Sequence, residues 1–131
     1  MQEMGLPDAR AFEGTWKLIP DRCRYEHTTP PREGLYKIAA TPEGLAFTID
    51  WVDADGEKLH NEFRLTWDGD EPASLELVDE RTLNTAIERN EKVIAHASRM
   101  LSDDGEEMEI HQRAVTPEGK PFVNQAFYKR V

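Results

Sequence analysis

Positive charge is scarce in this chain: 16 lysines and arginines stand against 26 aspartates and glutamates, a formal net charge of −10. Such a surface repels phosphate backbones and anionic lipid headgroups, which excludes nucleic acids and membranes as partners. The acids are spread over turns and strand faces instead of forming a tail, and their ordinary role is solubility. Long apolar runs are missing as well, so nothing approaches a membrane span. The opening Met1-Gln2-Glu3-Met4-Gly5-Leu6-Pro7-Asp8 has neither the basic region nor the apolar core of a signal peptide, and a cytoplasmic location follows. The lone Cys23 cannot form an internal disulfide, in keeping with a reducing compartment.

Signatures of catalysis and metal binding are absent too. His27, His60, His96 and His111 lie far apart, with no His-x-His or HExxH pair, and Cys23 with His27 has no second pair nearby. Zinc and haem need convergent ligands, so no metal and no cofactor are expected. Ser74, Ser98 and Ser102 lack the flanking glycines of a nucleophile elbow, and no glycine-rich phosphate loop occurs. Glu107, Glu109 and His111 share a strand face, but it is the polar one, whose usual neighbour is solvent.

What the chain does have is a ladder of turns. Thr41-Pro42-Glu43-Gly44, Asp53-Ala54-Asp55-Gly56, Asp68-Gly69-Asp70, Asp79-Glu80, Asn90-Glu91, Asp103-Asp104-Gly105 and Thr116-Pro117-Glu118-Gly119 cut residues 35–131 into strand-length pieces. Strands are predicted at about 35–41, 45–52, 57–67, 74–79, 82–89, 92–101, 107–115 and 121–130. A first strand, Gly14-Thr15-Trp16-Lys17-Leu18-Ile19, follows a short helical turn over 7–12 that tucks Phe12 beneath it. Residues 20–34 are the least regular, since Thr28-Thr29-Pro30-Pro31 cannot join a sheet interior. Arg22-Cys23-Arg24-Tyr25 can pair only weakly. Short hairpin connections make neighbours antiparallel. The fold class is all-β: an antiparallel up-and-down barrel of 8–10 strands, one domain over 1–131, whose closure hides its sheet edges.

Alternation sorts the side chains. Leu45, Phe47, Ile49 and Trp51 share one face. Leu59, Phe63, Leu65 and Trp67 oppose Lys58, His60, Glu62 and Arg64. Leu83, Thr85 and Ile87 oppose Asn84 and Glu88, and Met108, Ile110 and Ala114 oppose the acids of their strand. Strands 92–101 and 121–130 are partly apolar on both faces, which suits either a cavity inside with a partner outside or a homodimer packed through that sheet.

Gly14-Thr15-Trp16-Lys17-Leu18, Pro30-Pro31, Val52-Asp53-Ala54-Asp55-Gly56, Trp67-Asp68-Gly69, Gly119-Lys120-Pro121 and Asn124 with Tyr128 occur in an order that resembles the lipocalin-like proteins of the calycin superfamily. The likeness is closer to small bacterial lipocalin-like domains and spans residues 12–131. It implies a lipocalin-like barrel closed at one end and open at the other, often holding a small apolar molecule. It also implies a structural role for Gly14, Trp16 and Arg130, with Trp16 packed across the closed end near Arg130. Fatty-acid-binding calycins end in an Arg-x-Tyr pair; here Tyr128-Lys129-Arg130 reverses the order.

The expected function is therefore binding or carriage of a small hydrophobic, lipid-like ligand. Its wall would be Tyr36, Phe47, Ile49, Trp51, Phe63, Leu65, Leu83, Ile87 and Met108, with Asn124 and Tyr128 as polar tips. An inverted register of 57–67 would bring His60 and Arg64 inside and favour an anionic headgroup. The alternatives are a calycin-type enzyme and a filled barrel serving as an interaction module in a homodimer.

Overall fold

The computed structural model describes residues 7–26, 28–67, 73–90 and 92–131. His27, the turn Asp68-Gly69-Asp70 and Glu91 of the turn Asn90-Glu91 lie outside them. A 3₁₀ turn, Arg10–Phe12, precedes strand β1 (Gly14–Leu18). A second, Pro20–Arg22, leads to β2 (Arg24–Tyr25). The hairpin strands follow as β3 (Glu33–Ala40), β4 (Gly44–Val52), β5 (Lys58–Thr66), β6 (Ala73–Asp79) and β7 (Thr82–Arg89). They end with β8 (Lys92–Leu101), β9 (Glu107–Val115) and β10 (Pro121–Arg130).

The turns form because their polar side chains replace missing backbone partners. Asp53 Oδ1 accepts the N–H groups of Asp55 and Glu57, both at 2.9 Å, and Gly56 supplies the positive φ of 89° that the turn requires. Thr41 Oγ1 accepts from Gly44 N at 2.9 Å, and Thr116 Oγ1 from Lys120 N at 3.1 Å. These are local bonds, so each hairpin is specified within a handful of residues.

The strand order is β5-β4-β3-β1-β10-β9-β8-β7-β6, and every neighbouring pair in that order is antiparallel. β2 pairs with the same edge of β10 as β1, through Asn124↔Tyr25 and Gln125↔Arg24. The segment 19–25 thus continues β1 along β10 after a break, with Ile19 N donating to Phe127 O at 2.8 Å. Part of the irregular segment is therefore sheet wall. The row holds nine long strands, and its first and last members must run the same way. β5 and β6 accordingly cannot complete the ring with an antiparallel ladder, and among the described residues none joins them. The barrel is nearly closed, with a seam.

The core sits at one end. Phe12, Trp16, Leu83 and Met108 are fully buried there, each side chain contributing roughly 1.5–3 kcal/mol by leaving water. Arg130 stacks on Trp16, its guanidinium carbon 4.2 Å from the ring centroid. The same guanidinium donates to Glu13 O and Ala11 O, both at 2.7 Å, and to Gly105 O at 3.2 Å. Trp16 Nε1 donates to Phe12 O at 2.9 Å. Gly14, at φ 127°, admits this arrangement, because a Cβ there would come within 2.8 Å of Arg130 Nη1.

Candidate functional site

The opposite end is open, and a cavity of about 650 Å³ runs into the barrel from it. Of the residues predicted from strand alternation, Tyr36, Ile49, Trp51, Phe63, Leu65, Ile87, Asn124 and Tyr128 line this space. Phe47, Leu83 and Met108 do not. They face inward but are 1%, 0% and 0% exposed and belong to the packed core. Alternation reports which face a side chain takes and carries no information on depth along the barrel. Phe47 still shapes the wall from behind, stacked on Phe63 with centroids 4.9 Å apart. His60 and Arg64 are exposed on the outer face, so the register of β5 is the uninverted one.

The residue that dominates the cavity was not among those predicted. Arg99 lines it and is only 4% exposed. Its Nε and Nη2 donate to Tyr36 Oη at 3.0 and 2.8 Å, and Nη1 donates to Thr85 Oγ1 at 3.0 Å. The guanidinium carbon lies 5.1 Å from the Phe47 ring centroid and 5.7 Å from that of Tyr36. These partners are neutral: among the described residues no carboxylate stands within ion-pair distance of Arg99. A guanidinium has five N–H donors, and three are used. The rest are unspent.

A sequence signal for Arg99 exists in hindsight. Val93, Ala95, Ala97, Arg99 and Leu101 share one face of β8, so a lone cation follows two alanines whose small side chains leave it room. Burial pushes the Tyr128 phenol well above its ordinary range, so it stays protonated and keeps a hydrogen to donate. Its ring meets that of Tyr36 edge-on at 5.6 Å. Tyr25, also on the wall, is pushed up to about 12, again by burial and then by the neighbouring Cys23. Cys23 itself is raised by burial and is half-buried, with Sγ donating to Ile19 O at 3.4 Å.

Comparison with known structures places the fold. Zebrafish ileal bile acid-binding protein, solved in complex with cholic acid, is similar over 92% of this chain and 99% of its own, with a TM-score of 0.52 and 14% identity. The fold is that of the calycins. No model of a known protein family matches the chain, and no curated protein matches it. The calycin barrel is thus shared at the level of architecture, while Arg99, Tyr36 and Thr85 are features read from this chain alone.

Outside the cavity, two polar clusters occupy the outer face. His60 sits between Asp50 and Glu62, whose hydrogen bonds raise its pKa in that order of importance. Burial pushes Glu109 up, but hydrogen bonds with His111 and Gln125 outweigh it and hold the carboxyl below its usual range. Among the described residues no group of three or more His, Cys, Asp or Glu is arranged to hold a metal ion. No helix of the described residues is long and apolar enough to cross a membrane.

Proposed function

We propose that the barrel binds and carries one small amphipathic molecule, with its apolar body along the wall and an oxyanion against Arg99. The observation that carries this reading is the buried guanidinium itself. A charge in the interior without a counter-charge costs several kcal/mol, and a solvent-filled cavity offsets only part of that. An oxyanion accepting the unspent N–H groups of Arg99 would supply the missing charge. The Tyr36 hydroxyl accepts from Arg99 and so has its own hydrogen free to donate to the same anion. The lining around it, with Ile49, Phe63, Leu65 and Ile110, suits an apolar body. The zebrafish protein, a barrel of this architecture, was likewise solved in complex with an acid, cholic acid.

Dodecanoate and dodecanol test the reading by isothermal titration. The wild-type protein is expected to bind the acid about 30-fold more tightly than the alcohol, roughly 2 kcal/mol for a charge-assisted hydrogen bond. Arg99→Met is expected to remove that preference while still binding the alcohol. Equal affinity for acid and alcohol, or no binding of either, would refute it.

A further inference from the structure

We infer that the molecule taken up here carries a second, uncharged polar group, a hydroxyl or carbonyl, partway along its body. This rests on the carrier reading above and narrows its ligand to hydroxylated or oxo-substituted amphiphiles. The inward faces of the strands are apolar along most of the cavity, yet three carboxamides interrupt them. Gln112 and Asn124 are direct cross-strand partners on β9 and β10, each two residues nearer the mouth than Ile110 and Ala126. Asn61 faces them from β5, beyond Phe63 on the far wall. No hydrogen bond to protein engages the side chains of Asn61 or Gln112 among the described residues. Asn124 accepts from Glu26 N at 3.3 Å through Oδ1, and among the described residues its amide N–H groups have no acceptor.

The placement matters more than the count. Gln112 is opposite Ala97, two residues from Arg99 along β8, so the amide girdle begins about 7 Å nearer the mouth than the Arg99 Cα in strand rise. A bare alkyl chain leaving Arg99 toward the mouth would strip water from these amides and return nothing. Each buried polar group left unsatisfied in that way is costly. A hydroxyl or carbonyl at that height restores the bonds, since a carboxamide both donates and accepts. The Tyr128 hydroxyl, on a side chain 8% exposed and without a hydrogen-bond partner among the described residues, adds a further donor to the lining.

The test is a titration series of dodecanoate and its monohydroxylated derivatives, with the hydroxyl moved from C4 to C12. Binding to wild type is expected to peak at a mid-chain position, about 10-fold tighter than dodecanoate. The gain is expected to vanish in Asn61→Leu/Gln112→Leu, with dodecanoate itself bound at least as tightly as before. Thermal melts of the variant check that it folds, and the single variant Gln112→Met, expected to lose part of the gain, serves if it does not. A wild-type profile that is flat along the chain, or a gain that survives both variants, overturns the inference. If dodecanoate binds through Arg99 and the hydroxyl adds nothing, only this inference falls. If no acid binds at all, the carrier reading falls with it.

Discussion

Arg99 occupies a position where a cation weakens the empty barrel. Replacing it with Met removes an uncompensated charge and leaves Tyr36 and Thr85 facing a cavity that water can enter. The ligand-free Arg99→Met protein is expected to melt no lower than wild type, and a drop beyond about 5 °C would show instead that the guanidinium holds the fold together. His60 makes the opposite kind of contribution. Its pKa is raised in the folded state by Asp50 and then Glu62, so the stabilisation is complete below the unfolded value near 6.5 and is lost as pH rises through the raised one. The group is exposed, so the effect is small. NMR titration of its ring protons is expected to give a value above 6.5, and in His60→Gln the decline of the urea midpoint from pH 6 to pH 8 should be shallower than in wild type. Both residues were hard to read from sequence, for different reasons. Whether an arginine within a strand faces in or out is fixed by register, and the pairing of Asp50 with His60 needs two strands to be aligned.

At the scale of elements the chain was far more legible, because its signals are local. Each hairpin carries its own Asp, Asn, Thr or Gly in the turn, and the strands begin and end close to where those residues predict. For β2 only the weak pairing within 22–25 was legible, because its partners Asn124 and Gln125 lie a hundred residues away, and the depth of Phe47, Leu83 and Met108 was not legible at all. Two glycines separate close packing from turn geometry. A Cβ on Gly44 would fall 1.9 Å from the Leu65 carbonyl oxygen and 2.7 Å from Thr66 Cα, backbone atoms of the paired strand. Gly105, at φ 74°, has open space around it. Gly44→Ala is expected to cost about 3 kcal/mol or more in urea denaturation, against roughly 1–2 kcal/mol for Gly105→Ala, where only backbone strain is added. Similar losses at both sites would mean that β4 and β5 do not approach each other so closely.

For the molecule as a whole, charge and cavity oppose each other. A net charge of −10 repels an anion in solution, while Arg99 favours it once inside. Association of dodecanoate is therefore expected to accelerate as the screening length falls from about 30 Å at 0.01 M salt to about 8 Å at 0.15 M. Stopped-flow mixing that showed slower association with added salt would mean that an outer cationic patch guides entry. Among the described residues the seam leaves backbone groups of β5 and β6 without a ladder partner, and hydrogen exchange is expected to be faster there than in β1, β9 and β10, which are paired on both sides. That seam has a further consequence. A ring joined by ladders all the way round has a girth counted in whole strands. This barrel is a strip bent until its ends meet, and the ends of a strip can part without breaking a single ladder. Among the described residues no ladder fixes its girth along one line, so a guest bulkier than the resting 650 Å³ is expected to be admitted by widening the barrel between β5 and β6.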